Sequence, residues 1–282
     1  MEETSKATLF LGQLKNGSVA DCIGATPLVR LNRLPATIGI KAQVYAKLEY
    51  FNAGGSVKDR IAKRMVEKAE RDGTIKPRDT LIEASSGNTG IAIALMAAIK
   101  GYKCIITLSE KMSLKKEQIL KALGAKVRTP AGVPIDSPDS IIRVAQRLQK
   151  EIPNSFILNQ YTNPENPAAH EFGTAEELWH QKEGQIDVLI SGAGTGGTVT
   201  GTTGGLKKHS KDILAENKDE GIGYDSVPEV LNQAEPDLWI KTSDRDSFQY
   251  ARRLVREEGL LCGGSSGATI AALAQLVEAR PG

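Results

Sequence analysis

Lys58 stands in the run Asn52-Ala53-Gly54-Gly55-Ser56-Val57-Lys58-Asp59-Arg60, a glycine turn leading into a helical pattern. Glycines there let the backbone approach a ligand closely. A lysine so placed forms a Schiff base with a carbonyl once desolvation or cationic neighbours lower its pKa. Taken alone, a lysine at a helix start is usually just a solvated one. A second run, Ser85-Ser86-Gly87-Asn88-Thr89-Gly90, opens a helix directly after a strand. Backbone N–H groups and hydroxyls at that position gather a carboxylate or a phosphate. An ordinary Ser or Asn cap accounts for one such residue but not for the whole run. A third, Gly192-Ala193-Gly194-Thr195-Gly196-Gly197-Thr198-Val199-Thr200-Gly201, follows the apolar Val188 to Ile190, and successive N–H groups in such a turn cradle a phosphate. Gly221-Ile222-Gly223-Tyr224-Asp225 and Cys262-Gly263-Gly264-Ser265-Ser266-Gly267 complete the set. Each of these two, taken singly, reads as a tight turn.

Gly192, Gly194 and Gly197 also fit the dinucleotide pattern G-x-G-x-x-G, which is weak without a second strand ending in an acid about twenty residues on. Asp212 lies at that distance, but Lys207 to Lys211 reads as no strand, so the dehydrogenase reading is set aside. Lys and Arg number 36 against 34 Asp and Glu, and the net charge of +2 offers no broad field for nucleic acid or an anionic membrane. Aromatics at 5% are too few for base-stacking platforms. The expected partners are small molecules. Cys22, Cys104 and Cys262 are odd in number and far apart, against a disulfide framework, and they form no zinc-ligand spacing with His170, His180 and His209. No metal site is expected. No apolar run has the length of a membrane span, and the N-terminus lacks a basic-then-apolar layout, so the expected compartment is the cytoplasm.

The elements that must carry these runs alternate between short β-like and longer helical patterns. Strands are expected at Ala42 to Leu48, Thr80 to Glu83, Cys104 to Leu108 and Asp187 to Ile190. Ile61, Met65 and Ala69 share one face of a helix that ends at Gly73. Further helices are expected from Asn88 to Lys100, closed by Gly101, and from Ser113 to Leu123, closed by Gly124. Two more run from Ser243 to Glu258 and from Gly267 to Ala279, and Ser137-Pro138 reads as a helix cap with proline at the first helical position. Such alternation implies an α/β fold of parallel strands and crossover helices. Ligands in such folds bind at the carboxyl ends of strands, where four of the five runs fall. The segment Lys207 to Glu220 is polar and contains no strand-like run.

Together, and in this order, the five runs resemble the fold-type II pyridoxal 5′-phosphate (PLP) enzymes of the cysteine synthase/cystathionine β-synthase family. The resemblance runs from Ile23-Gly24-Ala25-Thr26-Pro27-Leu28-Val29-Arg30 to the final helix. It implies two three-layer α/β domains with mostly parallel twisted sheets and PLP in the cleft between them, in a homodimer. Lys58 is similar to the Schiff-base lysine, Asn88 to the partner of the cofactor's 3′-oxygen, and Gly194, Thr195, Gly196, Gly197 and Thr198 to the phosphate cradle. Ser265 is similar to the hydroxyl partner of the ring nitrogen. Ser85, Ser86, Gly87, Thr89 and Gln160 resemble the groups that hold the substrate's α-carboxylate, and Gly221 and Tyr224 those at the second-substrate entrance. A hydroxyl at the ring nitrogen leaves the pyridine neutral, a weaker electron sink that favours β-elimination over transamination.

Within the family, Phe51-Asn52-Ala53-Gly54-Gly55-Ser56, Gln160-Tyr161 and Gly221-Ile222-Gly223-Tyr224-Asp225 lean to the branch that condenses L-serine with L-homocysteine, a transsulfuration lyase that can also release hydrogen sulfide. The other branch makes cysteine from O-acetylserine and sulfide. No upstream Cys/His pair of the haem-binding kind is present, so haem is not expected. The domain expectation is a shared N-terminal segment 1–51, a smaller mobile domain 52–163 and a larger domain 164–282. The larger domain is expected to lack a central strand near 212–219 and its C-terminal end. A non-catalytic scaffold relative is the rival of another class. It would have lost the lysine or the phosphate turn, and both are present.

Overall fold

Thr80–Ala84 is a short apolar run with every residue buried, which suits a strand flanked on both sides. The computed structural model describes residues 17–85, 87–110, 113–128, 133, 137–219 and 227–279, and of 216–219 only the backbone. In chain order the strands are β1 (Leu28–Arg30), β2 (Tyr45–Lys47), β3 (Thr80–Ala84), β4 (Lys103–Thr107), β5 (Lys126–Arg128), β6 (Ser155–Ile157), β7 (Val188–Ala193), β8 (Leu214–Asp219) and β9 (Leu238–Lys241). The chain divides into two compact units, Met1–Thr26 with Glu49–Leu158 and Pro27–Leu48 with Asn159–Gly282.

The first unit holds a four-stranded parallel sheet in the order β5-β4-β3-β6, with Thr80 opposite Lys103 on one side and opposite Ser155 on the other. From β3 the chain steps outward to β4 and β5, then returns to place β6 on the far side of β3. That reversal makes the carboxyl end of β3 a topological switch point, where open α/β sheets bind ligands. The Ser85–Gly90 run begins there. The amphipathic helix Ile141–Glu151 buries Ala145 against Ile82, Ala84 and Ile105, with Ile142 and Leu148 packed beside them. Its cap is Ser140, whose hydroxyl accepts the Arg143 N–H. Ser137, the expected cap, lies in the preceding turn. The helix Asn88–Lys100 ends at Gly101 with φ +77, as the sequence implies.

The second unit holds the parallel sheet β7-β8-β9 and the antiparallel pair β1-β2. Here the expectation of a missing strand near 212–219 is corrected. β8 is central, with Leu214 opposite Val188 and Glu216 opposite Leu238. Its sequence, Leu-Ala-Glu-Asn-Lys-Asp, carries no strand signal. A strand with partners on both edges is held by backbone ladders, and tertiary context overrides propensity there. The ground for dismissing a dinucleotide motif therefore falls, and that choice passes to the site itself. Of the last helices, Asp244–Arg253 continues into a π-helical turn, Leu254–Glu258, and the final one starts at Gly264, three residues earlier than expected.

Glu258 fastens this unit to its own N-terminal strand pair. Its carboxylate accepts the N–H groups of Asn32 (2.9 Å), Arg33 (2.7 Å) and Leu34 (2.6 Å), capping the short helix Leu34–Thr37, which has no cap of its own. Burial opposes its charge, but the three N–H groups and the charge of Arg33 outweigh that and hold its pKa below the ordinary 4.5. A carboxyl with a lower pKa folded than unfolded stabilises above the unfolded value and loses that contribution as pH falls. Denaturant titrations between pH 6 and about 3 should therefore show stability falling below pH 4.5. Glu258→Gln should be less stable at neutral pH and show a shallower acid slope.

Candidate active site

Asn52, in the turn before Lys58, is 4% exposed and spends its side chain on structure. Its Oδ1 accepts the Gly24 N–H at 2.8 Å, and its Nδ2 donates to the Glu49 carbonyl (2.7 Å) and carboxylate (2.9 Å). Glu49 also takes the Arg60 Nε–H at 2.7 Å and the Thr26 hydroxyl at 2.8 Å. Arg60 and Thr26 are buried, so this network ties the Ile23–Pro27 stretch to the first turn of the lysine helix, Lys58–Arg71. Asp59, next to Lys58, is wholly buried and accepts the Gly54 N–H at 2.7 Å. A Cβ on Gly54 would come 2.7 Å from that carboxylate, which is why the turn needs glycine there. Burial pushes the Asp59 pKa up, against the pull of the Gly54 and Ser56 N–H groups. Lys58 itself is half-buried at the helix start, its N–H donating to the Ser56 hydroxyl at 3.3 Å.

The Ser85–Gly90 run turns from β3 into the helix Asn88–Lys100. Ser85 is buried, and its hydroxyl oxygen accepts the N–H groups of Gly87 (3.2 Å) and Gly90 (3.1 Å), leaving its hydrogen for an acceptor. Thr89 is buried and Asn88 exposed at the helix start, and Ser86 lies outside the described residues. Lys116, which the sequence reading missed, brings its Nζ within 3.8 Å of where a Cβ on Gly87 would stand. A helix N-terminus with a cation beside it attracts anions.

In the second unit, the run after β7 turns at Gly196 (φ +90) into the helix Gly197–His209. The first N–H groups of that helix have no intrahelical partner and form the donor set an anion needs. A Cβ on Gly194 would meet nothing within 4 Å, so the rim of the turn is open. Both hydroxyls of the turn are braced from behind. Thr195 Oγ1 accepts from Asn166 Nδ2 at 3.1 Å, and Thr198 Oγ1 lies 3.1 Å from His170 Nε2, whose Nδ1 is 2.9 Å from Thr174 Oγ1. Asn166, His170 and Thr174 are buried and recur every fourth residue. Facing them, Gly197, Gly201 and Gly205 recur with the same spacing. A Cβ on Gly197 would land inside the Asn166 amide, one on Gly201 inside the Pro167 carbonyl, and one on Gly205 would come 2.5 Å from Ala175 Cβ. Along this ridge the backbone of the helix meets the Asn166 amide, the Pro167 carbonyl and Ala175 directly. Open space, first-turn N–H groups and two braced hydroxyls fit a phosphate.

Gln160 is buried with its carbonyl accepting from Asn166 Nδ2 at 2.7 Å. Ser265 is exposed in the first turn of the last helix, and its hydroxyl makes no hydrogen bond to the described residues. Gly221 and Tyr224 lie outside the described residues. Cys104 and Cys262 offer no competing nucleophile. Burial and the Glu83 charge push Cys104 up to about 12, and burial raises Cys262. The sequence reading also missed Asn166 and His170, because Asn-Pro-Glu-Asn-Pro reads as loop. The fourfold spacing of glycines on one side and Asn166, His170 and Thr174 on the other was the available signal.

The family described as pyridoxal-phosphate dependent enzyme matches residues 19–236. Similar proteins include the cystathionine beta-synthase of Rattus norvegicus, 53% identical over 88% of this chain and 48% of its own length. That of Apis mellifera is 51% identical over 93% of this chain and 56% of its own, and that of Saccharomyces cerevisiae 49% over 94% and 58%. The chain thus spans about half the length of the curated relatives it matches. Among the described residues no helix is long and apolar enough to cross a membrane.

The ridge predicts a contrast within one helix. Gly204 has only ordinary contacts with Glu235 at 3.8–3.9 Å, so Gly204→Ala should be neutral or stabilise by up to about 1 kcal/mol. Gly201→Ala has no room and should cost about 3 kcal/mol or more, or abolish soluble protein. Paired chemical denaturation of the two variants checks this, and equal behaviour would refute the ridge.

Proposed function

The chain belongs to the pyridoxal-phosphate dependent enzyme family, and we propose that its reaction is β-replacement, joining L-serine to L-homocysteine to form cystathionine. The observation that carries the reading is the braced turn at Gly194–Thr198, a phosphate seat at a helix N-terminus, in a chain that also keeps Lys58 in a glycine turn. PLP, when bound, supplies a conjugated electron-withdrawing ring that acidifies a substrate's α-carbon and eases departure of a β-substituent.

The residues divide the work. Lys58 would hold the cofactor through its amine, and that amine would serve as the general base that takes the substrate's α-proton and returns it. The Ser85–Gly90 turn, with Ser86, Thr89 and Gln160, holds the substrate carboxylate and so orients the α-hydrogen. Asn88 would partner the cofactor's 3′-oxygen. Ser265 would offer its ring nitrogen a neutral hydroxyl, a partner that favours an unprotonated ring where an aspartate would favour a protonated one. Gly221 and Tyr224 serve the thiol substrate. The choice of serine and homocysteine is supported by Gln160-Tyr161 and by relatives named cystathionine beta-synthase that match about nine-tenths of the chain. The reading takes the protein as a cytoplasmic homodimer. Sedimentation at the monomer mass would count against the dimer.

Purified protein should carry a visible absorption band from cofactor bound through Lys58. Lys58→Ala should lose the band and lower turnover by at least about 10²–10⁴-fold, the range of a general base. Product analysis should find cystathionine from serine and homocysteine. Turnover with O-acetylserine and sulfide alone would move the chain to the cysteine-forming branch, and a protein that never takes up PLP would end the reading.

A further inference from the structure

Asn166 is 1% exposed and carries two amide hydrogens, both of them spent. One goes to the Gln160 carbonyl at 2.7 Å and the other to Thr195 Oγ1 at 3.1 Å. Its backbone N–H is spent as well, on the Asn163 carbonyl at 3.0 Å. The direction of the Thr195 bond has a consequence. An amide NH₂ only donates, so Thr195 Oγ1 must accept here, and its single hydrogen is left to point elsewhere. A hydroxyl so committed is a fixed donor, which is what a phosphate oxygen needs. The same amide group holds the main chain that presents Gln160. Few side chains meet these demands together: the group must be neutral, planar, doubly donating and short enough to fit against Gly197, where a Cβ would collide with it.

We infer that Asn166 is a positioning residue that sets the Thr195 hydroxyl as a phosphate donor and couples that seat to the Gln160 segment. The inference rests on reading the Gly194–Thr198 turn as the cofactor's phosphate seat. It goes beyond that reading by placing the control of one donor in a residue that touches neither cofactor nor substrate.

Two substitutions separate this role from simple packing. Asn166→Asp keeps the shape but turns the donor into an acceptor, so Thr195 swings its hydrogen to the new carboxylate and away from the phosphate. Asn166→Leu keeps approximate volume and adds no charge. Each should weaken PLP roughly 10–100-fold or more, the worth of a hydrogen bond to a charged group, with the Asp variant worse. Equilibrium titration of the visible band on protein stripped of cofactor measures this, with folding verified by circular dichroism. The ³¹P resonance of the bound cofactor should move in both variants, a change that packing alone would not produce.

Thr195→Val completes a cycle. If Asn166 acts through that hydroxyl, adding Asn166→Leu to Thr195→Val should cost no more than about threefold further. Folded variants with wild-type PLP affinity and an unmoved ³¹P signal would overturn the inference whatever their thermal stability, and so would strict additivity in the cycle. A wild-type protein that binds no PLP would sink the phosphate-seat reading and this inference with it. Loaded wild type with indifferent variants sinks the inference alone.

Discussion

The approach of one backbone to another along Gly197, Gly201 and Gly205 is the constraint on which the second unit is built. Glycines at successive turns let the helix Gly197–His209 lie against Asn166–Ala175 with no side chain of its own in the contact at those three positions. The gain is geometric. Only at that distance can the Asn166 amide reach Thr195 and His170 reach Thr198. The helix packs with little apolar area on this face, so dispersion over many close atoms stands in for large side chains. Its buried apolar side chains, Val199 and Leu206, anchor it, Leu206 beside Ala175 and Ile213. The helix interior holds residues of poor helical propensity, Thr and Gly above all, and depends on this packing for its stability.

The first unit solves the same problem with polar groups. The lysine turn hangs on Asn52, Glu49, Thr26 and Arg60, a network in which each buried donor finds an acceptor. A satisfied network of this kind adds less to stability than it costs when broken, because removing one partner strands the others. Loss of one member of a buried ion pair typically costs about 3–5 kcal/mol. The return is rigidity in the tight glycine turn that leads into Lys58. Asp59 belongs to the same design. Its buried carboxylate is costly, and what it secures is the Gly54 peptide.

Much of this was legible in the residues. Asn88–Lys100 and its Gly101 close were readable because small apolar residues run between a cap signal and a left-handed glycine. The fully buried β3 was readable as an apolar run of strand length. β8 was not, because its pairing is paid in backbone bonds and its side chains carry no period. Ser137-Pro138 was a sound cap signal placed one turn too early, since Ser140 has both the extended backbone and the reach to the Arg143 N–H. The glycine runs announced the turns, but not the groups behind them. Asn166 and His170 are invisible to motif reading because their importance lies in what they face, and that partner is about thirty residues away in the chain.

The two ligand turns also differ in how they would hold charge. Beside the Ser85–Gly90 turn stands Lys116, whose ammonium sits on a flexible stem, the type of group that adapts to an exchanging carboxylate. Behind the Gly194–Thr198 turn stand an amide and an imidazole, buried, hydrogen-bonded and fixed. Fixed dipoles pay their ordering cost on folding and lose little entropy on binding, which suits a group that stays through many turnovers. A mobile cation suits one that exchanges at every cycle. The difference between a rigid seat and an adaptable one is thus written in side-chain type, and it matches the cofactor and substrate roles proposed for the two turns.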